Sequence, residues 1–188
     1  IVRRLRDTGA AVFLDLKFHD IPNTAKEAIR SAATLGAEMT TIHLCGGPRM
    51  VADSVAAAEG SGMLVLGVTV LTSMDADSLT AIGVSATPEN QVIHLAGMGC
   101  QQGLKGVVAS PREILPLRNK FGEDLVIVTP GVRPTGSDLG DQKRVMTPAE
   151  AVRAGASYLV IGRPITSAPS PVEALRAIAQ EMANATVQ

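Results

Sequence analysis

Six short runs rich in Val, Ile and Leu, separated by Ala-rich stretches of helical period, constrain this chain more than any single motif. The runs are "AAVFLDLK", "MTTIHL", "MLVLGVTVL", "LKGVVAS", "DLVIVTP" and "SYLVIG". Each has the length and β-branched content of a buried strand. Helix starts stand between them: Thr24-Ala25-Lys26-Glu27, Ser110-Pro111-Arg112-Glu113, Thr147-Pro148-Ala149-Glu150 and Ser170-Pro171-Val172-Glu173 all have capping-box form. In such a box the hydroxyl accepts from the N3 amide and the Glu reaches back, and a Pro at N1 loses nothing by lacking an N–H. Gly36 and Gly122 fall where helices would end. Strands alternating with helices at this spacing pair in parallel through right-handed crossovers, as a doubly wound sheet or a barrel. No linker or low-complexity segment divides the chain, so residues 1–188 are expected to form one domain.

The placement of polar residues favours the barrel. Asp15 and Lys17, His43, Thr72 and Ser73, Ser110, Thr129 with Arg133, and Gly162 with Arg163 each follow the apolar part of a strand. A (β/α) barrel builds its site from the loops at the carboxyl ends of all its strands. An open sheet gathers such groups at one switch point. Eight units of a typical barrel take about 250 residues, and six-eighths of that is about 188, the length of this chain. The expected fold is therefore a (β/α)8 TIM barrel of which this chain supplies about six strand-helix units.

Composition removes other classes of function. Seventeen basic and eighteen acidic side chains leave a formal charge of −1 without a run of one sign, and the aromatics are three Phe and one Tyr. Neither a basic groove nor a base-stacking platform can be built from these, so no nucleic acid is expected as partner. No apolar run reaches the roughly 20 residues of a membrane span, and no signal peptide is read at the start. Cys45 and Cys100 lack a second pair, which indicates neither a zinc ribbon nor a disulfide scaffold and fits a reducing, cytoplasmic setting. His19, His43 and His94 lack ligand spacing, so no metal site is expected; His94 reads as helix surface or packing.

The densest chemistry lies in "FLDLKFHDIPNT", Phe13 to Thr24. Alternate residues of a strand share a face, so Phe13, Asp15 and Lys17 point one way and Asp15 lies beside Lys17. Asp20 follows at the turn, and Pro22 is expected to end the extended run before a helix capped at Thr24. A plain strand-end ion pair beside a solvated Asp satisfies the same spacing. Two charges on one face of an otherwise apolar strand favour chemistry instead. Carboxylates on either side favour the ammonium form of a Lys, making it a positioned acid.

"FLDLKFHDIPNT" resembles the signature of the orotidine 5′-phosphate decarboxylase family. The blocks "GVTVLTS", "GVVASPRE", "VTPGVRP" and "DQKRVMTPAEAVRAGASYLVIGRPIT" follow that family's bacterial form in order, so that the resemblance spans essentially the whole chain. It implies a (β/α)8 barrel that converts orotidine 5′-phosphate to UMP, in de novo pyrimidine synthesis, with neither metal nor organic cofactor. By the same resemblance Lys17 donates the proton to pyrimidine C6, and Asp15 lies against the substrate carboxylate and holds Lys17. Asp20 and Thr24 reach the neighbouring active site of a homodimer. Thr72, Arg133 and Gln142 contact the nucleotide.

A phosphate site has its own physical case. Barrels often bind phosphate through the loops after their last two strands, here "TPGVRPTGSDLGDQKR" and "IGRPIT". Gly162 allows close backbone approach and Arg163 offers a planar, multidonor fork. The segment from Pro134 to Asp141 reads as a lid whose closure would exclude water.

The family also places an Asp after its first strand and a Lys after its second, and neither strand is found here. "IVRRLRDTG" resembles the tail of the second helix, so two upstream strand-helix units and a start before Ile1 are expected. Two alternatives share many of these residues. Hexulose-phosphate synthase and keto-gulonate-phosphate decarboxylase resemble the family and carry D-x-K-x-x-D, but use magnesium and an enediolate. A nucleotide-binding module would keep Arg163 and lose the chemistry.

Overall fold

β-Branched runs and Ala-rich segments alternate in the computed structural model as they do in the sequence; it describes residues 1–134 and 146–186. In chain order the elements are α1 (Val2–Arg6), β1 (Phe13–Phe18), α2 (Pro22–Ala33), β2 (Met39–His43), α3 (Gly47–Ala58), β3 (Leu64–Val68), α4 (Ala76–Ala81) and α5 (Pro88–Gln101). They continue with β4 (Gly106–Val108), α6 (Ile114–Phe121), β5 (Val126–Pro130), α7 (Pro148–Arg153), β6 (Tyr158–Val160), α8 (Arg163–Thr166) and α9 (Pro171–Thr186). Each of the six apolar runs holds one strand. The chain forms two units, Ile1–Thr69 with Ile93–Val107 and Val70–Val92 with Val108–Gln188.

In the first unit β1, β2 and β3 are neighbours in that order. β2 and β3 pair in parallel without a slip, from Met39 opposite Leu64 to His43 opposite Val68. Helix α2 turns Ala25, Ile29 and Ala32 inward, and α3 turns Met50 and Val51 inward. Ala25, Ile29 and Ala32 on α2, and Met50, Ser54 and Ala58 on α3, recur at three to four residues, the stripe expected of a half-buried helix. Gly67 is required by packing. A Cβ there would stand 2.6 Å from Leu44 Cδ2 and 2.7 Å from Leu104 Cδ2, so its absence lets two leucines fill the space over β3.

In the second unit β5 pairs with β6 in parallel, Val128 opposite Tyr158 and Pro130 opposite Val160. Arg118 near the end of α6 ties this unit together. Its guanidinium donates to the carbonyls of Gly155 (2.8 Å), Gly122 (2.8 Å) and Leu125 (2.6 Å) and to Ser157 Oγ (3.0 Å). Gly122, with φ +73, ends α6 as expected.

The expected helix starts divide three ways. Thr147 forms the full capping box with Glu150, and α9 begins at Pro171 just after Ser170. At Ser110 the hydroxyl donates to the Glu113 carboxylate rather than accepting an amide, and the chain makes a 3-10 turn, Pro111–Glu113, before α6. At Thr24 the expectation is corrected. Helix α2 opens at Pro22 with Ile21 as N-cap, so Thr24 lies within the first turn. Pro22 begins the helix because its fixed φ suits the first helical position.

Candidate active site

The first unit brings Asp15 and Lys17 together by a route that regular strand alternation does not describe. Phe13 and Leu14 pair with Met39 and Thr40, and then the register slips until Phe18 faces Ile42. The four steps from residue 14 to 18 are thus matched by two from 40 to 42, a bulge of the kind that re-aims side chains near sites. Within it Lys17 has φ +50, the one positive φ of a non-glycine among the described residues. Such a conformation costs on the order of 1–3 kcal/mol and persists only where neighbours enforce it.

The enforcing neighbour is Thr41 on β2. Its Oγ1 accepts the Lys17 N–H at 2.8 Å and donates to Asp15 Oδ1 at 2.8 Å. The other Asp15 oxygen accepts from Lys17 Nζ. Both members of this ion pair are 42% exposed, so a ligand can reach them while their main chain stays held from below. An ion pair this open adds little to stability. Sequence reasoning passed over Thr41. Its signal was there: two hydroxyls at the centre of "MTTIHL", where a buried strand would carry aliphatic side chains, and both are fully buried.

Two imidazoles stand in the same unit, and His43 feels the charges of both Asp15 and Lys17. The His19 and His43 rings lie 5.5 Å apart, and Cys45 Sγ is 3.8 Å from His19 Nε2. Burial holds the His43 imidazole below its ordinary range; His19 and Lys17 push the same way and Asp15 opposes them. A ring whose burial disfavours its charged form adds less repulsion beside a cation, which suits His43 to lining a site. Asp20 is exposed and its Oδ1 accepts the Ile21 N–H at 2.7 Å. Thr24 is exposed on the first turn of α2.

The second unit holds the remaining predicted residues. Thr72 is half-buried in the turn closed by Met74 N–H donating to Leu71 C=O at 2.9 Å. Arg133 is 8% exposed, so it is not a solvated strand-end charge. Its guanidinium donates to Val132 C=O at 2.9 Å, and its N–H donates to Met146 C=O at 2.9 Å. Gly162 caps the short helix α8 by accepting the N–H groups of Ile165 (2.9 Å) and Thr166 (3.0 Å). Among the described residues a Cβ on Gly162 would meet no atom within 4 Å, so they leave the approach to this backbone open, and Arg163 beside it is exposed. Gln142 and the proposed lid from residue 135 onward lie outside the described residues. A cavity of about 620 Å³ in this unit is lined by Met74, Asp75, Asn90, Arg112 and Glu113 among others, and by none of the predicted site residues that are described.

Residues 1–178 match a family described as orotidine 5′-phosphate decarboxylase / HUMPS. The orotidine 5′-phosphate decarboxylase of Actinobacillus succinogenes is 53% identical over 186 residues, covering 97% of this chain and 80% of that protein. That of Moorella thermoacetica is 52% identical over 189 residues, covering 96% and 75%. Among solved structures, orotidine 5′-phosphate decarboxylase from Lactobacillus acidophilus superposes with a TM-score of 0.85 at 36% identity, over 96% of this chain and 79% of that one. The fold class is the (β/α) barrel, with six of its strand-helix units in this chain. The chain belongs to the orotidine 5′-phosphate decarboxylase / HUMPS family.

Proposed function

We propose that this chain acts in the decarboxylation of orotidine 5′-phosphate to UMP, a step of pyrimidine biosynthesis, with Lys17 as the proton donor. The observation that carries the reading is the Asp15–Lys17 pair at the end of β1, its ammonium held by one carboxylate oxygen and its main chain by a buried hydroxyl. In this reaction the bond between C6 and the carboxylate carbon breaks and its electron pair stays on C6. A cation already in place where that charge develops lowers the barrier without reorganisation. The Lys17 ammonium then gives its proton to C6, and solvent restores it. Asp15 holds the ammonium and faces the carboxylate that leaves as carbon dioxide.

The other roles follow the family. Thr72, Arg133 and Gln142 contact the nucleotide, and Gly162 with Arg163 takes the phosphate; the open backbone of Gly162 and the exposed guanidinium support this. Asp20 and Thr24 reach the neighbouring site of a homodimer. Both are exposed, and Ile21 between them is 68% exposed, as a segment covered by a second subunit would be. No helix among the described residues is long and apolar enough to cross a membrane, and the proposed setting is the cytoplasm. The whole chain is assigned to one barrel domain, with no cofactor in the chemistry.

The test is the fall in ultraviolet absorbance of orotidine 5′-phosphate with EDTA present. The 188-residue chain is assayed beside the product of the same reading frame extended upstream of Ile1. Turnover in either protein that survives EDTA is the expected result. Turnover in neither, or turnover abolished by chelation, overturns the reading, the second in favour of the magnesium-dependent relatives.

A further inference from the structure

Thr41 has no role in the reaction as described above, yet it touches both residues that do. Its side chain is fully buried. A hydroxyl has one proton to give and lone pairs with which to accept, and Thr41 uses both on the site: the proton goes to Asp15 Oδ1, and a lone pair takes the Lys17 N–H. Lys17 is thereby held at two ends, directly at its main chain and, through Asp15, at Nζ. The neighbouring Thr40 spends its hydroxyl differently, donating to Leu14 C=O at 2.8 Å, a bond that only ties β2 to β1. The register slip between Leu14 and Phe18 leaves the Lys17 amide outside the regular ladder, and Thr41 supplies the acceptor.

We propose that Thr41 is a positioning residue for the proton transfer: one buried hydroxyl locks the left-handed backbone of Lys17 and the carboxylate of Asp15 together, and so sets where the ammonium stands. This inference rests on the reading of Lys17 as the proton donor. A side chain that only packed β2 against its neighbours would be replaceable by valine, which has nearly the same shape. A positioning hydroxyl is not replaceable by valine, but serine can stand in for it.

The experiment compares wild type, Thr41→Val, Thr41→Ser and Lys17→Ala in whichever of the two proteins turns over orotidine 5′-phosphate. Removing the hydroxyl is expected to lower kcat about 10- to 100-fold, the scale of a small misplacement of a reacting group, with KM within about threefold. Thr41→Ser is expected to restore kcat to within about threefold of wild type, because the hydroxyl returns without the methyl group. Near-wild-type kcat in Thr41→Val overturns the inference, as does a Thr41→Ser variant no better than Thr41→Val. Should the valine variant not fold, Thr41→Cys decides: its thiol is a weak donor, so a kcat near wild type overturns the inference and a tenfold loss or more supports it. If Lys17→Ala is inactive and Thr41→Val unaffected, only the role of Thr41 falls. If Lys17→Ala keeps near-normal kcat, the reading of Lys17 falls and takes this inference with it.

Discussion

The carboxyl ends of β1 and β6 are built in opposite ways. After β1 the polar groups of the ion pair form a linked chain, Lys17 N–H to Thr41, Thr41 to Asp15 and Asp15 to Lys17 Nζ, in a bulge with a left-handed backbone. After β6 a Cβ on Gly162 would meet none of the described residues within 4 Å, and Arg163 is exposed. The difference follows from the work assigned to each. A group that delivers a proton must stand within hydrogen-bond reach of one atom, which justifies a strained strand end held by a buried hydroxyl. A phosphate is bound by charge and close backbone approach, which an exposed guanidinium beside an uncrowded glycine can supply.

The comparison is broken most severely at Lys17. Lys17→Ala is expected to lower kcat by about 10³-fold or more, within the range of lost general acid and electrostatic stabilisation, while KM changes little; steady-state kinetics would show it. Near-normal kcat would mean that the strained strand end serves only the fold. Arg163→Ala should do the reverse. Loss of a charge-assisted contact is about 1.5–3 kcal/mol, so KM should rise roughly 10- to 100-fold with kcat nearly constant. Unchanged KM and kcat would move the phosphate site elsewhere.

Two smaller effects sharpen the contrast between site and scaffold. Thr147→Ala removes the capping box of α7 and should cost about 1 kcal/mol in urea unfolding without altering kcat. The Glu150 carboxyl is held below its usual range by the Thr147 amide and then by the Thr147 hydroxyl. Its folded pKa is depressed, so its stabilising contribution is present above the unfolded value and is lost as pH falls through the folded one. The alanine variant should lose less stability on acidification. His43 gives the smallest effect. Burial disfavours the charged ring in the folded state, so as pH falls through the ordinary imidazole value of about 6.5 the unfolded chain takes up the proton first. Stability should therefore decline from just above that pH until the lower folded value is passed, and His43→Gln should flatten urea midpoints measured between these limits.

Much of the fold was legible because strand and helix periods are local. All six apolar runs contain a strand, and Gly122 and the Thr147 box stand where local rules place them. The errors arose where two local rules competed. "IPNT" offers both a Pro for the first helical position and a Thr for the cap, and the turn after β1, with Asp20 bonding the Ile21 amide, delivers the chain so that Pro22 wins. At Ser110 the carboxylate of Glu113 drew the hydroxyl away from the amide. In the site, Asp15 beside Lys17 was readable from spacing. Arg133 was readable as a strand-end group, but its burial was not.

By itself, then, the sequence determined the alternation of strands and helices, the helix starts after Thr147 and Ser170, and the set of charged groups at the strand ends, because each depends on residues a few positions apart. Tertiary structure alone decided the bulge at Lys17, the clamp by Thr41 from 24 and 26 positions away, and the clasp of Arg118 on Gly155 and Ser157. These depend on which residues of neighbouring strands face one another, and a register is a property of the pairing, not of either strand read alone.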